Sequence, residues 1–287
     1  MAGYKIKDLE TLTGIKAHTI RMWEKRYGLL SPDRTDTKIR LYDNSDLEKL
    51  LNVAILYENG VKISKIAELS QEETKSKITE LYEQNHSCGM DAHLLLQSTI
   101  SLKCHDFDRV LTDIIKVKGL EQAYRNCLSP FIKSIESLLK VGKITTVQKN
   151  FVYNLIRQKI ISETNHLPIR DEHGFDAILF TPEGQSQEFC LLFYNFMLQK
   201  HNYKTLYLGV NLPTEELKKA IEETNPKRIV ITMTDDHGQE NYSKTITTLA
   251  EKTGLPVYVG GFLSKKHQIP ENVNAFSIKD LFGKDSD

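Results

Sequence analysis

Apolar residues in the first 70 positions follow helical spacing in short stretches that turns separate. The pattern predicts a helix from Ile6 onward that Gly14 interrupts, and a second helix over 17–26 that ends at Gly28. Residues 31–44 are rich in Pro, Asp, Thr and Arg and end in alternating residues, which predicts a turn followed by a strand. A third helix from Ser45 and a short fourth helix after Gly60 complete this region.

The middle of the chain has helical periodicity and no strand-like alternation. Residues 71–90 are polar and predict a partly helical connection. Pro130 should either kink one of the following helices or start a new segment. The predicted helices, punctuated by Gly119 and Gly142, cover 91–103, 106–117, 120–141 and 145–164.

From residue 175 onward, short apolar runs alternate with amphipathic helices. This alternation predicts a parallel, doubly wound sheet of five strands in the flavodoxin-like order, with a ligand crevice at the carboxyl ends of the strands. The predicted strands are 177–180, 205–208, 228–233, 257–259 and 275–277. The predicted helices between them are 187–201, 214–224 and 239–253.

Composition adds the expectation of a cytoplasmic protein. The chain has 287 residues, a polar start unlike a signal peptide, and no apolar run of about 18 residues. Its net charge is zero, but residues 1–40 hold nine Lys and Arg against five Asp and Glu, a modest footprint for phosphate. The four cysteines, at 88, 104, 127 and 190, form no CxxC pair, so we expect buried thiols and not a disulfide or metal site.

The N-terminal region carries the most specific motif in the chain. The segments "TIRMWEKRYGLL", "SPDR" and "IRLY", with the helix-turn-helix around Gly14, resemble the MerR family over about 70 residues. A recognition helix must anchor itself through apolar residues and present polar ones outward, so Ile20 should point inward. Glu24 or Arg26 could form an internal ion pair instead of facing DNA, and Trp23 could be core.

The predicted DNA contacts lie on the second helix and on the wing that follows it. Arginine can read guanine in the major groove, and the wing residues should contact phosphate. The MerR resemblance implies the same role for Arg40 and Tyr42. The predicted DNA-binding residues are His18, Thr19, Arg21, Lys25, Arg26, Arg34, Lys38, Arg40 and Tyr42.

Residues 91–283 resemble light-sensing, cobalamin-binding regulators of the CarH/LitR type. The stretches that carry the resemblance are "GKITTVQKNFVYNLIRQKI", "ILFTPEGQSQEFCLLF", "LYLGVNLP" and "VYVGGFL". The resemblance implies a four-helix bundle followed by a cobalamin-binding, Rossmann-like domain. It also implies dimers that read palindromic sites, or tetramers.

The family's cobalamin ligands do not carry over to this sequence. Its lower axial histidine falls on Gln187, and a glycine of the same motif falls on Cys190. An amide is a poor cobalt ligand beside imidazole, and a side chain at the glycine position would crowd the nucleotide tail. The Trp and Glu-His pair above the corrin fall on Leu139, Lys149 and Asn150. We therefore expect that the protein binds no cofactor and, in particular, that it does not bind cobalamin.

Other features near the predicted crevice leave alternatives open. Gly260 and Gly261 match the family's glycine pair but could equally be a strand-end turn, and "LGVN" at 208–211 keeps a sheet-edge loop. The sequence at 171–174 imitates the histidine motif but precedes the first strand. The polar residues at 235–237 fit an ordinary loop better than a metal or catalytic site.

These observations predict a DNA-binding transcription regulator whose C-terminal region serves oligomerisation, a protein partner or another ligand. They predict no enzyme, since common nucleotide-binding and hydrolase motifs are absent. The predicted domains are a MerR-type winged helix-turn-helix (1–75), a helical bundle (76–170) and a Rossmann-like domain (171–287). The expected partners are double-stranded DNA, a second copy in a dimer or tetramer with a contact around 71–87, and a protein partner, but no membrane. The alternative is a cobalamin-dependent, light-sensing repressor with unusual ligation.

Overall fold

The computed structural model describes residues 3–34, 39–84, 87–168, 174–184, 188–213, 216–233, 239–261, 269–270 and 273–282. The chain divides into two compact units, Met1–Ile156 and Arg157–Asp287. Within the described residues, no helix combines the length and apolarity needed to cross a membrane.

The N-terminal part of the first unit is the predicted helix-turn-helix with a wing. Gly14 and Gly28 end the first two helices in the left-handed conformation, at φ 72° and 61°, which glycine adopts without a Cβ clash. Trp23 is buried and meets the ring of Tyr57 edge-on at 5.0 Å between centroids. The elements are α1 (Ile6–Thr13), α2 (Ala17–Tyr27), β1 (Asp33–Arg34), β2 (Arg40–Leu41), α3 (Asn44–Glu58) and α4 (Ile63–Glu68).

Four helices of the middle region follow a connecting helix, as the periodicity predicts. Pro130 lies in the first turn of one of them, where its missing N–H costs no hydrogen bond, so it starts a segment. Gly119 interrupts another with φ 71°. The elements are α5 (Gln71–Gln84), α6 (Cys88–Ile100), α7 (Cys104–Ala123), a π-helical turn (Tyr124–Leu128), α8 (Ser129–Lys140) and α9 (Thr146–Asn165).

The second unit contains the predicted doubly wound sheet. Its five parallel strands lie in the order β4-β3-β5-β6-β7, which is the flavodoxin-like order. One core cluster includes Phe180 and Ile231, and a second includes Leu179 and Val230, as expected for alternate residues of strands covered on both faces. The elements are β3 (Ala177–Pro182), α10 (Phe189–Lys200), β4 (Thr205–Leu212), α11 (Leu217–Thr224), β5 (Ile229–Thr232), α12 (Gln239–Thr253), β6 (Val257–Gly260), β7 (Ala275–Ser277) and α13 (Lys279–Phe282).

Candidate nucleic-acid interface and ligand crevice

The outer face of α2 presents the polar residues that the sequence predicts. Ile20 and Trp23 are 0% and 1% exposed and fix the helix against the core. The side chains on the opposite face lie in solvent, apart from Thr19, which is half-buried and within 3.3 Å of His18 Nε2. The exposed residues of this face are His18, Arg21, Lys25 and Arg26.

The turn between α1 and α2 is held by a single carboxylate. Glu10 Oε2 accepts a hydrogen bond from the backbone N–H of Ala17 at 3.2 Å, at the start of α2. The same carboxylate pairs with Lys16 at 3.2 Å, and this pairing lowers the pKa of Glu10. The amide at the beginning of α2 therefore has a partner from α1, which sets the direction in which α2 leaves the turn.

Glu24 connects α2 to the wing. Its carboxylate accepts hydrogen bonds from Arg40 Nε at 2.9 Å and from the Tyr42 hydroxyl at 3.1 Å. Burial, and then the charge of Glu24, raises the pKa of Tyr42, so the phenol remains a donor at neutral pH. The sequence left open an ion pair by Glu24 or Arg26, and the structure assigns it to Glu24 with Arg40 as the partner.

The placement of Tyr42 bears on its predicted contact with DNA. Its side chain is 0% exposed and its hydroxyl is bonded to Glu24, so in this structure it does not face a DNA backbone. Its backbone pairs with Tyr4 through two hydrogen bonds of 2.8 and 2.9 Å, which adds the N-terminus to the wing. This placement favours a role for Tyr42 in positioning the wing, and its contact with phosphate stays a prediction.

The other wing residues keep their predicted exposure where the structure describes them. Arg34 is exposed on β1, opposite Arg40 on β2. The side chain of Arg40 is 34% exposed while its Nε is bonded to Glu24. Lys38 lies outside the described residues. Among the described residues, Arg21 and Lys25 form no ion pair, so both cations remain available to an anion.

The second candidate site is the edge of the large sheet where its parallel strands end. Because β4 and β5 flank β3 on opposite sides, the chain reverses its winding between β3 and β5, and such a switch point opens a crevice. Thr232 ends β5 there, and its side chain is 3% exposed. No described residue bonds its Oγ1 atom, which leaves a buried hydroxyl able to serve a ligand.

The loop after β3 is tied to the end of β4. Asn211 adopts a left-handed backbone with φ 60°, and its Oδ1 accepts a hydrogen bond from Gly184 N at 2.7 Å. Its own backbone N–H donates to Thr181 Oγ1 at 2.8 Å. The segment 208–211, predicted as a sheet-edge loop, belongs to β4 in the structure, and Asn211 fixes one side of this edge from the end of that strand.

Glu188 fixes the start of α10 beside the same loop. Its carboxylate accepts hydrogen bonds from Arg157 Nε at 2.6 Å and from the Tyr207 hydroxyl at 3.0 Å. Hydrogen bonding to Glu188 raises the pKa of Arg157, so this guanidinium stays charged. Sequence reasoning missed this trio, since its members are far apart in the chain and lie in no motif.

The glycine pair after β6 has a packing reason of its own. A Cβ on Gly260 would collide with the ring of Tyr194 and approach Ile278. A Cβ on Gly261 would collide with the carbonyl of Met233, and the φ of 122° at this position also favours glycine. Both glycines are therefore required by the protein itself, which supports the reading of a strand-end turn.

The remaining predicted positions divide between the units. In the first unit, Leu139 and Lys149 are half-buried and Asn150 is exposed. Lys149 Nζ lies 5.2 Å from the centroid of the Tyr153 ring. In the second unit, Cys190 is 6% exposed in the first turn of α10. Gln187 lies outside the described residues, as do residues 171–173 and 235–237.

Comparison with known proteins gives a match in each part of the chain. Residues 4–73 match the family described as MerR HTH family regulatory protein. The transcriptional repressor CarH of Myxococcus xanthus is 27% identical over 274 residues, covering 92% of this chain and 91% of that protein. The repressor CarA of the same organism is 25% identical over 269 residues, covering 92% and 88%.

Two solved structures resemble the chain more distantly. A cobalamin-binding protein from Desulfitobacterium hafniense has 15% identity and a TM-score of 0.30, covering 68% of this chain and 93% of that one. The monomethylamine corrinoid protein of Methanosarcina barkeri has 16% identity and a TM-score of 0.49, covering 64% and 89%. Both scores lie below 0.5, so the fold assignment rests on the strand order itself.

These comparisons contradict the expectation that the chain has no cofactor. The similarity to CarH and CarA extends over 92% of the chain, and therefore over most of the region whose resemblance implies cobalamin. The replaced ligand positions therefore do not justify excluding cobalamin. Residues 4–73 of the chain therefore resemble MerR-type DNA-binding regions, and most of its length is similar to the transcriptional repressors CarH and CarA.

Proposed function

We propose that the protein binds double-stranded DNA through the outer face of α2 and regulates transcription. The observation that carries this proposal is the pair of exposed cations on that face, Arg21 and Lys25, which no described acidic residue neutralises. A helix held from behind by Ile20 and Trp23 can enter the major groove as a rigid body. Arg21 would read a base, since a guanidinium can bond two acceptors of guanine.

The wing would contact the DNA backbone beside the groove. Arg34 is exposed and Arg40 is partly exposed, so both can approach phosphate. Glu24 neutralises part of the charge of Arg40 and fixes its direction. Arg40 would therefore contribute less to the salt dependence of binding than a fully exposed arginine such as Arg34.

DNA binding would be carried out by a dimer or a tetramer, because half-sites are read by symmetric assemblies. The apolar residues Ile78 and Tyr82 of α5 are 6% and 7% exposed within one chain. A contact between copies around 71–87 would therefore use the polar face of α5. Light scattering at micromolar concentration tests this, and a strict monomer with and without DNA would contradict it.

The effector of the second unit would be cobalamin. Three observations support this: the similarity to CarH over 92% of the chain, the reversal of winding between β3 and β5, and the buried Thr232 hydroxyl. Thr232 would bond a polar group of the ligand, which removes the cost of an unpartnered hydroxyl. When bound, cobalamin would supply a light-sensitive cobalt–carbon bond, as the family resemblance implies.

The axial ligation would differ from the family's histidine. Gln187 stands where imidazole is expected, so the protein would hold cobalamin through shape and hydrogen bonds and not through a nitrogen ligand at this position. We expect Gln187→His to alter the visible spectrum of the bound cobalamin, because imidazole would then coordinate cobalt. An unchanged spectrum in this variant would place residue 187 away from the metal.

The DNA proposal is tested with a binding site selected from a random duplex library. We expect Arg21→Ala to weaken binding by about 1–3 kcal/mol, roughly ten-fold or more, and to relax the preference at one base pair. The matched control is Lys116→Ala, which removes an exposed cation from α7, outside both proposed surfaces. Equal affinities of Arg21→Ala and the parent protein in fluorescence anisotropy would remove Arg21 from the interface.

The cobalamin proposal is tested by mixing the protein with adenosylcobalamin in the dark and measuring absorbance after desalting. We expect retained chromophore, with weaker retention by Thr232→Val. The control is Thr253→Val. The Thr253 hydroxyl donates to the carbonyl of Leu249 at the end of α12, just before β6 begins, and therefore lies at the amino ends of the strands, away from the proposed ligand site. Colourless parent protein would contradict the assignment.

A further inference from the structure

A compact polar cluster lies between three elements of the helical region, away from both sites above. Cys88 is the first residue of α6, and Cys127 lies in the π-helical turn. The two cysteines are joined as a disulfide with their Cα atoms 5.3 Å apart, although 39 positions separate them in the chain. This pair corrects the expectation that all four cysteines are buried single thiols.

The ion pair between Lys118 and Asp91 lies beside the two sulfur atoms. Lys118 Nζ lies 3.5 Å from the Sγ of Cys88 and 3.5 Å from the Sγ of Cys127. The same ammonium donates to Asp91 Oδ2 at 2.7 Å, and Asp91 is 0% exposed. A cation beside a cysteine favours the thiolate, which is the nucleophilic form in disulfide chemistry.

The two cysteines differ in their access to solvent. Cys88 is half-buried, while Cys127 is 5% exposed. Cys88 also stands at the N-terminus of the 13-residue helix α6, where unpaired backbone N–H groups favour a negative charge. Cys88 is therefore the sulfur that a dissolved reagent can reach, and Cys127 is the sulfur that closes the bridge.

Two departures from regular helix bring the cluster together. Gly119 breaks α7 directly after Lys118, with φ 71° and ψ 154°. The π-helical turn Tyr124–Leu128 then carries Cys127. Such single turns inside helical segments are frequent at functional sites. The backbone irregularities therefore coincide with the residues of the cluster.

We propose that Cys88 and Cys127 form a reversible dithiol–disulfide site that responds to the thiol–disulfide balance of its surroundings. The oxidant is a small-molecule disulfide. The Cys88 thiolate attacks one sulfur of that disulfide and releases the first small thiolate. The Cys127 thiolate then attacks the sulfur of Cys88 and releases the second, so two cysteine thiols become one disulfide while one small disulfide becomes two thiols.

The position of the site gives it a route to the DNA-binding region of the same unit. The disulfide ties the first turn of α6 to the π-helical turn. Further along α6, Gln97 Nε2 donates to Glu48 Oε1 at 3.2 Å and to Asn52 Oδ1 at 3.3 Å, both on α3. Disulfides of intracellular proteins are commonly redox-sensing and not structural.

The test uses the full chain equilibrated with reduced and oxidised glutathione at a series of ratios. After acid quenching and alkylation, peptide mass spectrometry maps all four cysteines. We expect a linked Cys88–Cys127 peptide that appears as the oxidised fraction rises and disappears on return to reduced glutathione. Cys104, which is exposed, is an internal control and should form only a glutathione adduct, while buried Cys190 stays a thiol.

Variants identify the order of attack. Cys127→Ser should accumulate glutathione on Cys88, whereas Cys88→Ser should leave Cys127 almost unmodified in the folded protein. Lys118→Met should slow disulfide formation about ten-fold at neutral pH, and Lys118→Arg should restore most of the rate, which a purely structural role would not predict. Native circular dichroism selects the variants that remain folded.

Three results would overturn the proposal. The first is separate glutathione adducts on Cys88 and Cys127 with no linked peptide. The second is a linked peptide that reduced glutathione cannot open in the folded chain. The third is a stoichiometric zinc ion in the reduced protein that blocks oxidation, since Cys88, Asp91 and Cys127 also place three ligand atoms within 4.8 Å of one another. That result would assign a metal site.

Discussion

The contact between Glu24 and Tyr42 offers a sharp test of how the wing is built. We consider Tyr42→Phe, Glu24→Ala and the double variant. In the parent protein, Glu24 is the hydrogen-bond acceptor of a fully buried phenol and of Arg40. If Tyr42 positions the wing, its hydroxyl contributes to the stability of the DNA-binding region and not to the affinity for phosphate.

The magnitudes follow from burial. Glu24→Ala leaves the buried hydroxyl of Tyr42 without an acceptor, which costs about 1–3 kcal/mol. The pair with Arg40, whose side chain is 34% exposed, adds about 0.2–1 kcal/mol. We expect a loss of about 2 kcal/mol for Glu24→Ala and about 1 kcal/mol for Tyr42→Phe. The double variant should lose about 2 kcal/mol, less than the sum, because both changes remove the same bond.

The assay uses the single tryptophan of the chain. Trp23 is 1% exposed in α2, so its fluorescence reports the unfolding of the DNA-binding region. Because the chain has no other tryptophan, unfolding of the second unit does not contribute a tryptophan signal of its own. Urea titrations of the four proteins give the free-energy differences. Additive losses in the two single variants would refute this reasoning. So would a Tyr42→Phe variant that is as stable as the parent but whose DNA affinity depends less steeply on salt, and that result would return Tyr42 to the DNA interface.

Two further substitutions test local features of the fold. Asp43→Ala removes the N-cap of α3 and should cost about 1 kcal/mol at pH 7 by the same fluorescence assay. The hydrogen bond from the backbone N–H of Asp46 lowers the pKa of Asp43 from 3.8. The contribution of the cap to stability should therefore fade as the pH falls below about 3.8. A loss of stability in Asp43→Ala that is as large at pH 3 as at pH 7 would contradict this. Gly261→Ala should destabilise the second unit by at least ~2 kcal/mol, because its Cβ meets the Met233 carbonyl. Hydrogen exchange of β5 and β6 measures this, and unchanged protection would contradict it.

Local pattern was sufficient to predict most elements of the fold, but not the π-helical turn or α13. The alternation of β3 to β7 with helices determined the flavodoxin-like order, since buried parallel strands read as apolar runs. Gly14 and Gly28 marked the ends of α1 and α2 because both positions need a left-handed backbone. The division of the chain into domains at 75 and 170 stays a prediction.

The parts that sequence could not supply depend on pairs distant along the chain. Tyr42 is buried with its hydroxyl bonded to Glu24, which lies 18 positions away in the sequence. The alternation of a strand does not tell whether a tyrosine at this position is buried or exposed. Cys88 and Cys127 lie 39 positions apart in sequence, and α7, which lies between them in the chain, departs from helical geometry at Gly119. The acidic residue within the basic α2 was the one available signal for the ion pair of Glu24.

The cofactor prediction was wrong because it compared individual positions with the family's motif. Gln187 is an unfavourable replacement for the axial histidine, and Cys190 is an unfavourable replacement for the glycine beside the nucleotide tail. Relationship over 92% of the chain carries information about the whole crevice, which is built from strand ends and loops as well as from one imidazole. The structure adds the buried hydroxyl of Thr232, which no described residue bonds and which no motif indicated.

The central claim is that a ligand of the second unit controls DNA binding by the first unit. The most direct measurement is the affinity for a selected DNA site, by fluorescence anisotropy, with no cobalamin, with saturating adenosylcobalamin in the dark, and after illumination. The account predicts a change of at least ten-fold, about 1.4 kcal/mol, between dark and illuminated protein. The same affinity in all three conditions would contradict it.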